Sequence, residues 1–347
     1  MGVGPQRQRG MALVIVLMLF AIITVITMEV LVRQDRFLTR ADNLLQWDKR
    51  YQYAVAAEVV ATQGLNLDLI QDRENNRMVD DCVEEQWAIR LPPTPYEDAV
   101  LSASVQDLQG RFNLNWLVTS GGEGFVRDDL RVEQLTRLLA NTLPDPNKAS
   151  RIANEMTDWI DSNSIVDGLE GAEDADYRFR RVPNMPVAHE TELRAVLSFA
   201  IEDVFPDPLI WGLFTALPLN TRLNVNTAPR LVLDAVVGPF AGNAGVDAIV
   251  ALREEQGITD IAALLQQAPF SELQADARSR LSDLLGVSSE YFQVMVDVGV
   301  NQQQSRLVSR IVRRQAQGAG GTMVFSRQVK PMLTPLEPAC NPFFLEE

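Results

Sequence analysis

The chain has 347 residues, enough for a substantial core and about two compact units beyond its N-terminus. A hydrophobic content of 46% with 22% charged residues excludes general disorder, and a net charge of −15 argues against a polyanionic partner such as nucleic acid. One histidine and two cysteines are too few for a structural zinc cluster, whereas an acidic surface suits solubility and Ca²⁺.

A short basic leader, "QRQRG", runs into 18 uncharged residues from Met11 to Met28. As a helix this stretch is about 27 Å long, close to the thickness of a hydrocarbon core, and Val30 to Val32 extend it. A cleaved secretory signal predicts a small-x-small site and then a turn. Instead "MEVLVRQDRFLTRADNLLQWDKRYQYAVAAEVVATQG" follows, with no proline and no glycine before Gly64. Phe37, Ala41, Leu44, Tyr51, Val55 and Val59 recur at helical spacing. The expectation is one helix from Met11 to about Gln63, apolar all round at first and amphipathic later. An ordinary single-pass anchor with a stalk also fits these features.

From Cys82 to about Asn115 the pattern is strand-like, with "VEEQWAIRL" and "AVLSASVQDLQGRFNLNWL" broken by Pro92, Pro93, Pro95 and Gly110. From Arg127 to about Leu285 short helical patterns follow one another: "DLRVEQLTRLLANTL", "NKASRIANEMTDWID", "TELRAVLSFA", "PRLVLDAVVGPF", "GVDAIVALREEQG" and "ITDIAALLQQ". "YFQVMVDVGVNQQQSRLVSRIVRRQAQGAGGTMVFSRQVKP" then returns to strands, with a turn expected at Gly318 to Gly321. Two small strand sets most simply rejoin in one sheet, with the helical block as an insertion between them.

The basic leader, Gly10, apolar Met11 and the uninterrupted helix resemble the type IV pilin class of signal. That resemblance implies cleavage between Gly10 and Met11 by a prepilin peptidase, N-methylation, and retention of the apolar helix. The class usually has glutamate at the fifth mature position, where it pairs with a neighbouring subunit's terminal amine; here that position is Ile15. Together with "DLQGRFNLNWL", "MTDWID…DGLEGAEDADY", "TELRAV", "LNVNTAP" and the closing strands, in this order, the chain resembles the general secretion pathway protein K family, the large minor pseudopilin of type II secretion. The resemblance implies an α+β pilin-like fold with a long N-terminal helix and an antiparallel sheet. It also implies a large all-α insertion, SAM-like or helix-hairpin-helix-like. The division it suggests is a leader at 1–10, a helix at 11–64 with 11–32 in the membrane, and sheet segments at 65–118 and 287–347 around an insertion at 119–286. The implied role is non-enzymatic: a pseudopilus tip anchored in the inner membrane with its body in the periplasm. Minor pseudopilins I and J are the implied partners, with secreted cargo or the outer-membrane channel as candidate contacts of the cap. A minor pilin of a type IV pilus shares the same leader and helix logic.

The segment Ile152 to Tyr177 holds eight acids and neither lysine nor arginine. Charge runs are usually solvated faces, but Trp159, Ile160, Ala172 and Tyr177 alternate with these acids as if pinning the loop to a core. The spacing does not fit an EF-hand, because Ile165 stands where a third ligand is needed. The family resemblance implies calcium here, with Asp161, Asp167, Glu173, Asp174 and Asp176 as the expected ligands and Asn163 as a lesser one. Cys82 and Cys340 fit a disulfide if the body is periplasmic, and two free thiols otherwise.

"TRLNVNTAPRLVLDAVV" with "VDAIVALREEQG" also resembles a helix-hairpin-helix module, whose backbone amides bind DNA phosphate. No lysine or arginine lies between Arg230 and Arg253, so phosphate affinity would lack its main source. His189, between a proline-rich turn and a helix start, reads as a capping or surface residue, and no nucleophile–base–acid set is visible.

Overall fold

The computed structural model describes residues 9–82, 85–88, 91–122, 124–168, 170–201, 208–255, 257–301, 303–314 and 321–332. Its first element, α1 (Arg9–Asn75), has 67 residues and is therefore about 100 Å long. Every side chain from Met11 to Arg40 is exposed, and the apolar stretch is long enough to cross a membrane. Beyond it, Arg50, Ala54, Glu58, Leu65 and Leu69 are buried. Steps of four and seven residues place them on one helix face.

The helix does not stop at Gln63. It runs through Gly64 because Leu65 and Leu69 are buried beyond it, and because Arg313 donates to the Leu65 carbonyl and, at 2.7 Å, to Asp68. A lone glycine costs a helix only about 1 kcal/mol, less than this tertiary anchoring returns. α1 ends before Asn76, whose φ of 52° leaves the helical region.

Two strands follow, β1 (Leu91–Tyr96) and β2 (Ala99–Asp107). The three prolines expected to break this region lie inside β1. All six β1 residues are exposed and the strand is a sheet edge, where an absent N–H does no harm. The strand-like pattern expected to run to about Asn115 with a break at Gly110 already ends at Asp107. A turn leads to β3 (Phe112–Asn113) and a 3₁₀ turn over Leu114–Leu117.

The block then contains the hairpin β4 (Val118–Gly121) and β5 (Gly124–Arg127), α2 (Asp129–Thr142) and α3 (Ala149–Ile160). Next come a 3₁₀ turn over Glu190–Ala195, α4 (Leu197–Ile201), β6 (Phe214–Thr215) and β7 (Leu223–Asn224). α5 (Arg230–Glu255) is broken at Gly242, whose φ is 60°, so the two helices expected there are joined end to end. α6 (Ile261–Leu264), α7 (Ala275–Leu284) and β8 (Leu285–Gly286) close the block. Phe112, Leu135, Leu138, Ile152, Leu233, Phe270 and Leu281 share one buried core. Residues 112–118, assigned by sequence to the sheet unit, thus begin packing into the block.

β9 (Tyr291–Val300), β10 (Gln303–Arg313) and β11 (Thr322–Lys330) complete a five-stranded sheet in the order β1-β2-β9-β10-β11. β2 pairs antiparallel with β9 from Ala99 opposite Val300 to Asp107 opposite Phe292. The strands on either side of the helical block therefore rejoin, and the block is an insertion between β2 and β9. One sheet face packs on α1 through Val294, Val296, Val298, Leu307 and Ile311. β10 and β11 pair antiparallel, while residues 315–320, with most of the expected Gly318–Gly321 turn, lie outside the described residues.

Candidate functional site

The acidic segment begins on α3, whose inward face carries Ile152, Met156 and Trp159 together with Asp158, and which Asp161 terminates. Trp159 meets the Tyr177 ring edge-on at 5.6 Å, and Ala172 is buried, so the loop is pinned to the block's core as its apolar residues imply. The Asp158 carboxylate sits under the loop and accepts N–H bonds from Asp167 at 3.1 Å and Ala172 at 2.7 Å. Gly171 permits this approach: a Cβ there would lie 2.1 Å from Asp158 Oδ2 and 2.9 Å from the Asp167 backbone. The β4–β5 hairpin holds the other side, with Phe125 N donating to Ser162 Oγ at 2.8 Å and Arg127 donating to Asp167 at 2.8 Å.

Asp158, Asp161 and Asp167 each bring one carboxylate oxygen within 4.8 Å of the others. Burial, and then the charge of Asp167, push Asp161 up to about 7. Burial, and then Asp158, push Glu173 up to about 7 as well, and Asp158 is raised to about 7 chiefly by burial. Burial and their acidic neighbours therefore make Asp158, Asp161 and Glu173 harder to ionise. Asp161 Oδ1 and Glu173 Oε1 are buried without a hydrogen-bond partner. An all-oxygen set with unpartnered buried carboxylate atoms fits a hard divalent cation such as Ca²⁺.

Of the residues expected from sequence, Asp161 and Asp167 are thus brought together, with Asp158 as the third member, while Glu173 lies near enough to feel the charge of Asp158 but outside that converging set. Asp174 and Asp176 are outside that set and serve the loop itself, Asp174 accepting from Val182 N at 2.8 Å and Asp176 from Glu173 N at 3.0 Å. Asn163 donates to Asp161 at 2.6 Å. Sequence reasoning missed Asp158, although it lies three residues before Asp161 and so faces the same side of the helix. It also missed Gly171 and Arg127. Glu155, counted in the acidic run, is used elsewhere, by Arg151 and by the Ser198 amide and hydroxyl.

A second acidic group, Asp68, Asp72 and Glu85, gathers where α1 ends. Here cations and shared protons come from the chain. Arg313 reaches both Asp68 and Asp80. Burial, and then a hydrogen bond with Asp68, push Glu85 up to about 10, so it carries a proton.

Other motifs resolve into structural roles. His189 caps the 3₁₀ turn at Glu190, accepting from Thr191 N, while Glu192 reaches back to His189 N at 3.2 Å. In "LNVNTAP", Asn224 donates to Asp107 at 3.0 Å and to the Asp80 carbonyl, and Thr227 donates to Asp107 at 2.6 Å. Asn226 grips Ile258 through both its N–H and its C=O. Arg253 turns inward onto the Val225 and Ala228 carbonyls. Asn224 and Thr227 are therefore spent on joining the block to the sheet, and Asn226 and Arg253 on bonds within the block. Gly10 and Met11 lie within α1. Cys82 is in a disulfide, and Cys340 lies outside the described residues.

Sequence profiles for "Type II secretion system (T2SS), protein K" match residues 110–204 and 223–288. The chain is 30% identical over 314 residues to the type II secretion system protein K of Pseudomonas aeruginosa, covering 89% of this chain and 90% of that one. It is 28% identical to the Aeromonas hydrophila protein of that name, covering 89% and 94% of the two chains. The fold is similar to a chain in the crystal structure of the GspK–GspI–GspJ complex from enterotoxigenic Escherichia coli, with a TM-score of 0.68 and 24% identity. That match covers 84% of this chain and 99% of the other.

Proposed function

This chain belongs to the type II secretion system protein K family, structural components of that system, and from that premise we propose that it is the minor pseudopilin at the tip of the pseudopilus, where it initiates assembly and supports export across the outer membrane. The observation that carries this reading is a long apolar helix continuous with one that packs on an antiparallel sheet, with a helical block inserted between β2 and β9. The exposed apolar part of α1 anchors the chain in the inner membrane and then packs beside sister helices, while the body stands in the periplasm. A filament shaft leaves each subunit little lateral room, and so large an insertion is most easily placed at an end. Ile15, in place of a glutamate that would pair with another subunit's amine, suits a subunit with a unique position. The partners on this reading are minor pseudopilins I and J, as in the similar Escherichia coli complex. Mass analysis of the native assembly from membranes tests it. The expected species begins at methylated Met11 and travels with both pseudopilins; a chain beginning beyond Met28 would overturn the proposal.

Calcium, on the same reading, is structural. Asp158, Asp161 and Asp167 would hold it, with Glu173 from the expected set beside them; Gly171 would let the loop close around it, and Asp174 and Asp176 would brace that loop. The ion would supply positive charge to a loop whose acids otherwise repel one another. In the oxidising periplasm Cys82 would be bridged to Cys340, tying the C-terminal tail to the end of α1 and closing a long loop, typically worth ~2–4 kcal/mol. Thiol labelling in denaturant should find no reactive cysteine before reduction and two afterwards; two before reduction would refute the bridge.

A further inference from the structure

Among the described residues of the helical block, the large apolar side chains that stand strongly exposed are Val126, Ile165, Val166, Phe179 and Met185. All five lie on the acidic loop, its continuation, or the hairpin bonded to it. Scattered exposed hydrophobics need no explanation, but their confinement to one feature of a well-packed block does. Phe179 is 87% exposed and Ile165 75%, values that a residue folded onto its own core does not keep. The loop's two limbs are tied, with Asn184 donating to the Asn163 carbonyl at 2.6 Å and Val182 N to Asp174 at 2.8 Å. These side chains are therefore presented by a braced surface.

Charge is arranged on the same turn. Arg178, Arg180 and Arg181 line a shallow depression with Phe179 and Tyr177. The Arg178 guanidinium lies over the Phe179 ring, 5.0 Å from its centroid, and Arg180 donates to the Ala195 carbonyl at 2.9 Å. None of the three makes an ion pair with a described residue, although Asp174 and Asp176 are close in sequence. Those two acids are turned onto loop amides. An acidic chain thus carries three exposed arginines without acidic partners beside the exposed Phe179, on a loop that also exposes Ile165 and Met185. Arg, Phe and Met are the residues enriched in protein–protein contact surfaces.

We propose that the turn around Phe179, with Ile165, Val166 and Met185 beside it and Arg178, Arg180 and Arg181 at its rim, is a docking surface for a folded protein that presents carboxylates around an apolar pocket. The guanidinium groups supply orientation and encounter rate, and Phe179 supplies the buried anchor. An anionic lipid surface is the lesser match. The apolar residues sit on irregular loops and not on an amphipathic helix, and a net charge of −15 opposes approach to anionic headgroups. The partner is neither of the two sister pseudopilins, whose contacts on the tip reading run along α1. The inference rests on that reading only for this separation.

A photo-crosslinking residue placed at Phe179 in the full chain, in cells with the intact secretion system, tests the proposal, with a second probe at Phe37 on the exposed part of α1. The expected result at Phe179 is an adduct with one protein, identified by mass, other than pseudopilins I and J. Charge reversal of Arg178 and Arg181 to Glu, leaving Arg180 on its Ala195 carbonyl, should reduce that adduct about tenfold or more and lower secretion, while the Phe37 adducts with sister pseudopilins and the melting temperature stay unchanged. Lipid adducts, adducts with pseudopilins I or J, no adduct, or indifference to charge reversal at Phe179 would each overturn the docking surface. Absence of pseudopilin adducts at Phe37 would instead strike the tip reading, so the two failures are distinguishable.

Discussion

Gly171 is the residue on which the acidic loop closes. A methyl group there would meet both the Asp158 carboxylate and the Asp167 backbone at less than van der Waals distance, so Gly171→Ala must push the loop off α3. Overpacking of this kind costs about 1–3 kcal/mol, and here the shift also separates Asp158 from the two amides it accepts. Removing calcium should have a related effect, because Asp161 and Glu173 would again hold buried carboxylate oxygens with no partner. EDTA is therefore expected to lower the melting temperature of the wild-type protein. Gly171→Ala is expected to start lower and to respond less to EDTA. Identical melting curves with and without EDTA in the wild type would reject a structural ion. The site was half legible in the sequence. Acids near glycines marked the region, but which carboxylates face inward depends on the C-terminal face of α3 and on Arg127, 40 residues from its partner Asp167.

At the scale of elements, α1 is held to the sheet by polar as well as apolar contacts. Glu58 is buried and receives two hydrogen bonds from Arg327 on β11, at 2.7 and 2.8 Å, and one from Ser309 on β10. Burial by itself would raise its pKa, but the bonds from Arg327 and Ser309 outweigh it and hold the carboxyl below its ordinary value of 4.5. A lowered acid contributes stability above its unfolded pKa and loses it as pH falls through the folded one. The stability gap between wild type and Glu58→Gln should therefore be widest near about pH 6 and close in acid, below the ordinary Glu range. Denaturant titrations of both proteins across that range check this, and a gap independent of pH would show that the charge of Glu58 is not what docks the helix. Comparing the two proteins cancels Asp72 and Asp80, raised to about 6 and about 7 mainly by burial, whose stabilisation is lost as pH rises. The elements themselves were largely readable: α1, α2, α3, β2, β9 and β10 follow their periodicities. Errors arose where tertiary contacts overrode local signals. α1 passes Gly64 because of Leu65 and Arg313, the β1 prolines are harmless at an edge, and the Phe112–Leu117 stretch is buried on every side and so shows no reliable alternation.

At the scale of the whole molecule, two hydrophobic cores, one in the helical block and one between α1 and the sheet, must behave as one body. The links between them are mostly polar. Asp107 at the end of β2 accepts from Asn224, Thr227 and Ser289, and Gly110 leaves room for Thr227, whose Oγ1 would lie 2.7 Å from a Cβ there. Farther along the sheet, Arg310 on β10 donates to both oxygens of Glu190, at the start of the 3₁₀ turn that His189 caps, with a separation of 2.6 Å to Oε1. Both partners are buried. Burial alone would raise Glu190, yet the charge of Arg310 outweighs it and leaves the carboxyl below its ordinary value. Removing one member of such a pair leaves the other charge buried and uncompensated, typically a loss of ~3–5 kcal/mol, whereas replacing both with apolar residues of similar volume is often neutral. Glu190→Gln should therefore destabilise the protein strongly and raise amide exchange both in β10 and in the 3₁₀ turn. Glu190→Leu combined with Arg310→Met should recover most of the loss. If the single variant matched the wild type, the pair would be a passive contact and the Asp107 network would alone join block to sheet. If the double variant were as poor as the single one, shape rather than charge would govern the joint. A block held rigidly on the sheet is what a subunit needs if force applied along α1 is to reach whatever its far surface touches, so the same variants should reduce secretion in proportion to the stability they lose.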